Sequence, residues 1–207
     1  MRSIEDMRHE APLAPDLLMR FALTLTRELV DLHAQDLVHG DLRPSRILWD
    51  GADELTLLPA EESPSEPDLP WITHWSPEQC RSERVGPRAD VFAVGVLIHQ
   101  MATGVHPFID DEDEHVLDAM DSIQFTRVEL PGRHRPELRL DWDAIVSICL
   151  AKDPKERYAS ALDLEKQLDK LSREGGRSRI RFRPHWPRIA LALLVLGALL
   201  SALYLVL

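Results

Sequence analysis

Asp90 to Gly104 reads DVFAVGVLIHQMATG, and this stretch restricts the chain more than any other. Its apolar residues are not confined to one stripe of a helical wheel; they run almost all the way round. A helix of that kind is stable only with other elements packed on every side, so it belongs in the middle of a domain. Gly104 ends it, because glycine accepts the left-handed backbone at a helix C-terminus. At 207 residues the chain is long enough to build a core round such a helix.

The segments on either side supply the partners. Asp16 is placed to cap a helix in which Leu17, Phe21, Leu25, Leu29 and Leu32 recur at helical spacing. "DLVH", residues 36–39, reads as a short strand running into a loop. "ILWDGADELTLL", residues 47–58, reads as two short strands joined by a turn at Asp50-Gly51. Pro59 to Pro70, rich in Pro, Ser and Glu, reads as an exposed irregular loop. "DEDEHVLDAMDSI" has the acidic start that suits a helix dipole. "DWDAIVSICLA" and "SALDLEKQLDKL" add two helices, the second with Ser160 and Asp163 spaced as a capping box. The expected body is mainly α with a two-strand hairpin and no internal repeat.

Charge divides the chain. Residues 1–170 hold 18 Lys and Arg against 34 Asp and Glu, a net of −16, and residues 171–207 hold six Arg against one Glu, a net of +5. An acidic body repels phosphates, so nucleic acid is excluded as its partner. Cys80 and Cys149 have neither metal-ligand spacing nor a disulfide framework and suit a reducing compartment. Ile189 to Leu207 carries no charge, and 19 residues of helix at about 1.5 Å each approach the thickness of a bilayer core. Arg177, Arg179, Arg181, Arg183 and Arg188 precede it, as arginines do on the cytoplasmic side of a spanning helix. The sequence therefore predicts a body over 1–172, a basic linker over 173–188 and a transmembrane helix over 189–207. That arrangement anchors the chain by its tail in the plasma membrane, in contact with lipid, with the body in the cytoplasm.

Four stretches in order resemble the Ser/Thr protein kinase family, in its bacterial receptor-like form. "LVHGDLRPSRILWDG", residues 37–51, resembles the catalytic loop. "SPEQ", residues 76–79, resembles the Ala-Pro-Glu that closes the activation segment. "ADVFAVGVLIHQMATGVHPF", residues 89–108, resembles the central helix and the turn after it. "CLAKDPKERYAS", residues 149–160, resembles the late segment that carries a structural arginine. The resemblance covers about residues 1–172 and implies the C-terminal lobe alone, with the N-terminal lobe and its Gly-rich loop missing. It implies a buried Glu78–Arg157 ion pair, Asp90 accepting from loop amides near His39, and His39 packed as a spine residue.

The chemical parts depart from the family. Phosphoryl transfer rests on positioning and charge neutralisation, with metal ions held by an Asn and an Asp and a further Asp orienting the hydroxyl. Arg46 stands at the Asn position; a guanidinium has no acceptor atom and repels a cation. Pro59 stands at the metal-binding Asp, and a shift of register makes Glu61 or Glu62 the nearest carboxylate. Gly40 replaces the loop arginine that would hold a phosphorylated segment, and Arg43 replaces a lysine. Asp41 is the catalytic carboxylate kept in place, read as satisfying loop amides and arginines rather than as a residual base. The expected function is a membrane-anchored, inactive pseudokinase that scaffolds signalling, with no cofactor and no metal. A protein partner is expected over the top of the lobe, where Ile47, Leu48, Leu55 and Leu57 would be exposed. The alternative is an active Ser/Thr kinase using ATP and Mg, its N-terminal lobe supplied from elsewhere.

Overall fold

In the computed structural model, the residues described are 1–62, 64–110, 113–138 and 140–177. A compact unit spans Met1–Arg173. In chain order it contains β1 (Arg2–Ser3), α1 (Ile4–Met7), α2 (Pro15–His33), β2 (Ile47–Trp49), β3 (Leu55–Leu57), α3 (Leu69–Ile72) and α4 (Pro77–Cys80). Then come α5 (Pro87–Thr103), α6 (Val116–Phe125), α7 (Pro131–His134), α8 (Leu140–Cys149) and α9 (Ala161–Arg177).

α5 is the axis of the unit. Every residue from Ala89 to Ala102 is buried, the polar Asp90, His99 and Gln100 included. α2 packs on one side with Leu18, Phe21, Ala22, Leu25 and Leu29, all at most 1% exposed. α8 packs on another, with Val146 and Cys149 fully buried. Gly104 closes α5 at φ +82° and its N–H donates to Gln100 O. Burial pushes the Cys149 thiol far up, so it stays protonated in the core. His99 is inside too, with both ring nitrogens facing carbonyls, Val105 O at 3.2 Å and Glu129 O at 2.8 Å.

Three local expectations give way to tertiary partners. The cap of α2 is Ala14, not Asp16, because Pro15 occupies the first helical position with its φ already helical. Residues 36–39 are not a strand; the Asp36 and Leu37 amides donate back to carbonyls at the end of α2, and the His39 amide turns inward to a buried carboxylate. The first amide of α9, on Ala161, donates to His33 Nδ1 at 3.2 Å, so α2 caps α9 where a local capping box was expected.

The sheet also differs from the expected hairpin. It has three strands in the order β1-β2-β3, both pairings antiparallel, with Arg2 opposite Trp49 and Ile47 opposite Leu57. β1 is two residues long and has no hydrophobic period to read; it forms because β2 otherwise presents an unpaired edge. Ile47 and Leu55 are buried together with Ile4 and Met7 of α1, so the expected exposed apolar top is largely covered from within the chain. The expected membrane-spanning helix is not found among the described residues. Among the described residues no helix is long and apolar enough to cross a membrane, and residues 189–207 lie outside them.

Gly95, in the middle of α5, is held by close approach rather than by backbone conformation. A Cβ there would lie 2.6 Å from Cys149 Cβ and 2.9 Å from Leu150 Cδ2. Alanine is worth about 0.5–1 kcal/mol over glycine in an ordinary helix interior, whereas overpacking a core costs about 1–3 kcal/mol. Gly95→Ala is therefore expected to lower stability despite its better helix propensity, read as a lower urea midpoint at unchanged slope.

Candidate functional site

The site is built on Asp90, in the first turn of α5 and 1% exposed. One carboxylate oxygen, Oδ1, accepts from Gly40 N at 2.8 Å. The other, Oδ2, accepts from His39 N at 2.8 Å and faces His33 Nε2 at 2.9 Å. Because His33 Nδ1 accepts from Ala161 N, the ring proton lies on Nε2 and is donated to Asp90. His33 thus links α2, α5 and α9 through one imidazole. The sequence reading missed it; its spacing before "LVHGD" was the available signal.

Gly40 adopts φ +73°, which lets the loop turn back so that two successive amides point at one carboxylate. His39 then points the opposite way: its Nε2 lies 2.9 Å from Leu58 O and its Nδ1 accepts from Asp41 N at 3.2 Å. The loop is fastened on its far side as well. Gln79 Nε2 donates to Gly40 O at 2.8 Å, while Gln79 Oε1 accepts from Ser76 N at 2.9 Å. Gln79 was likewise not singled out from sequence.

Four charges meet just beyond this anchor. Asp41 is 8% exposed, and its Oδ1 accepts from Arg43 Nε at 2.7 Å. Its Oδ2 accepts from the backbone N–H of Glu61 at 3.0 Å and lies 3.7 Å from Arg46 Nε. The Glu61 carboxylate takes both arginines: Arg43 Nη2 donates to Oε2 at 2.7 Å, and Arg46 Nη2 pairs with Oε1. Arg43 is further held flat over the Trp71 ring, 3.7 Å from its centroid. Two guanidinium groups and two carboxylates therefore close on one another with no net charge. Of the residues after β3, Glu61 reaches the loop, whereas Pro59 is exposed and offers no carboxylate.

The chemistry open to this cluster is limited by its cations. Mg²⁺ demands close, near-octahedral oxygen ligands. Here the space between Asp41 and Glu61 is spanned by the Arg46 side chain, whose charge is fixed. Among the described residues no group of three or more His, Cys, Asp or Glu is arranged to hold a metal ion. Beside the cluster lies a cleft of about 230 Å³, bordered by Asp41, Glu61, Trp71 and Trp75.

The loop's outer support is a buried ion pair. Glu78 in α4 and Arg157 after α8 are 3% and 4% exposed and meet in a bidentate pair, Nη1 to Oε1 at 2.7 Å and Nη2 to Oε2 at 2.8 Å. Arg157 also donates to Arg88 O at 2.9 Å and Ala151 O at 2.7 Å, and lies over Phe92 at 4.8 Å. No donor is wasted, which is the condition under which a buried pair does not destabilise.

The family model described as the protein kinase domain matches residues 2–168. The serine/threonine-protein kinase PknB of Mycobacterium leprae is 26% identical over 179 residues, covering 80% of this chain and 28% of that protein. The serine/threonine-protein kinase pkn3 of Myxococcus xanthus is 27% identical over 193 residues, covering 81% of this chain and 34% of that protein. The chain thus spans about a third or less of the length of these curated relatives.

Removing one partner of the buried pair strands the other charge. Arg157→Ala or Glu78→Ala is expected to cost on the order of 3–5 kcal/mol in a denaturant titration. The double change Glu78→Leu with Arg157→Met is expected to cost less than either alone.

Proposed function

The chain belongs to the protein kinase family, and from that premise we propose that it is a pseudokinase, a kinase-like domain that carries out no phosphoryl transfer and acts as a scaffold or regulatory partner in signalling. The observation that carries this reading is the Arg46 guanidinium between Asp41 and Glu61. In an active kinase the carboxylates at such a site hold metal ions that neutralise the phosphates. In this chain the neutralising charge is part of the polypeptide, and a guanidinium, having no acceptor atom, cannot ligate a metal. Asp41 already accepts a hydrogen bond on each oxygen, from the Arg43 guanidinium and from the Glu61 amide.

The second reading is a Ser/Thr kinase that uses ATP. Two things favour it: Asp41 keeps the catalytic position, and the relatives are named as serine/threonine-protein kinases. One pair of measurements separates the two. The melting temperature of the wild-type chain is expected not to move with millimolar MgCl₂ plus ATP. Arg46→Asn removes one of the two guanidinium groups that Asp41 and Glu61 share and is expected to gain a Mg²⁺-dependent rise of about 2–5 °C, the size that ligand saturation gives a domain of this length. Transfer of ³²P from ATP to any protein acceptor by the wild-type chain, lost in Asp41→Asn, would overturn the pseudokinase reading.

A further inference from the structure

α6 is fixed to the body by one side and bare on the other. Ala119 and Ile123 are fully buried, and the helix packs on α3 and α4. Its ends are held as well: His115 Nδ1 accepts from Leu117 N at 3.3 Å, and Lys152 Nζ donates to Ile123 O. With successive residues turned by about 100°, Leu117, Asp121, Phe125 and Asp118 fall within one outward arc of about 100°. Phe125 is 76% exposed and Leu117 64%, the two most exposed large apolar side chains among the described residues. Asp118 and Asp121 are exposed between them, and among the described residues neither forms an ion pair. Residues 110–121 hold seven Asp and Glu and no Lys or Arg. The first cation after the helix is Arg127, beyond its C-terminal end.

We propose that the outer face of α6 is a docking site for a basic amphipathic helix of a partner protein. Leu117 and Phe125 stand roughly 12 Å apart along the axis, two helical turns. A second helix laid along α6 presents its own apolar residues at that interval, on successive turns of one face. Phe125 is the anchor, since a large aromatic side chain is the usual carrier of binding energy in a small contact. Charge sets the sign of the partner. Lys or Arg beside its apolar row meets Asp118 and Asp121, which nothing within the described chain compensates, whereas an acidic helix is repelled. Such rim charges govern the rate of encounter and the choice of partner more than they add affinity. A second copy of this chain, joined α6 to α6 about a two-fold axis, is the poorer occupant, because it sets the same two carboxylates against their own copies. The inference does not rest on the pseudokinase reading: no residue of this face belongs to the four-charge cluster, so an active kinase would present it equally.

The probe is a fluorescein-labelled synthetic peptide of about 18 residues, long enough to hold a helix, with leucine along one face and lysine flanking it. Its controls are a scrambled peptide of the same composition and the same peptide with glutamate in place of lysine. Fluorescence anisotropy is followed as the full chain is titrated in. The lysine peptide is expected to bind with a Kd of about 10 μM, and the glutamate peptide not to bind. Phe125→Ala is expected to weaken binding about tenfold, and so is Asp118→Asn with Asp121→Asn, at unchanged melting temperature because these side chains are exposed. Glu62→Gln with Glu66→Gln removes the same charge from another exposed segment and is expected to leave the Kd within about twofold. No binding of the lysine peptide, equal binding of the scrambled one, or binding indifferent to the α6 substitutions overturns the proposal. So does a wild-type dimer in sedimentation velocity that Phe125→Ala dissociates, which would give the face to a second copy.

Discussion

Asp90 is a carboxylate almost without solvent contact, placed in the first turn of the central helix, α5. A buried charge of this kind costs several kcal/mol unless it is fully hydrogen-bonded. Its two oxygens meet that requirement with the amides of His39 and Gly40 and the imidazole of His33. The catalytic-type loop is therefore a consequence of satisfying this one carboxylate. Gly40 must take a positive φ for the two amides to converge, His39 must then turn toward Leu58, and Asp41 emerges on the outer side facing the arginines. His33 extends the same anchor to α9 through Ala161, so the loop, the central helix and the last helix share one hydrogen-bonded node.

What is assembled on that node keeps the frame of a phosphotransferase site and changes its electrostatics. Where a metal-dependent site leaves acidic oxygens uncompensated until an ion arrives, Asp41 and Glu61 are compensated from within by Arg43 and Arg46. Arg43 is further immobilised against Trp71, which removes the freedom a flexible cation would need to follow a ligand. The same framework contact that supports an active site, the Glu78–Arg157 pair, is present with full hydrogen bonding. The contacts that hold the loop's shape are all made, and the acidic oxygens beside it are occupied by arginines.

Lys152 belongs to a different part of the same logic. The aromatic pair Phe92 and Phe108 receives a guanidinium on one member and an ammonium on the other. Arg157 has a carboxylate to balance it, while Lys152 has a carbonyl and ring faces. Burial and the Arg157 charge both push the Lys152 ammonium down from the usual lysine range.

Much of this was legible in the residues themselves. The all-round apolar stretch after Asp90 could only be a central helix, and the order of the four motifs tied Glu78 to Arg157 across 79 positions. Arg46 at a metal-binding position already excluded ligation there, because a guanidinium has no lone pair to offer in any fold. Other features had no local signal. β1 is too short to show a period and exists because β2 has an edge to fill. The cap of α9 comes from His33, 128 positions earlier. Which acidic residue meets the arginines, Glu61 rather than Glu62, depends on how the chain leaves β3. Residue types, periodicity and fixed charges are properties of the chain itself, so sequence determined the central helix, the family frame and the fixed positive charge at Arg46. Closure of the four-charge cluster, the node around Asp90 and the isolation of Lys152 each depend on distances between segments far apart in sequence, and only packing sets those distances.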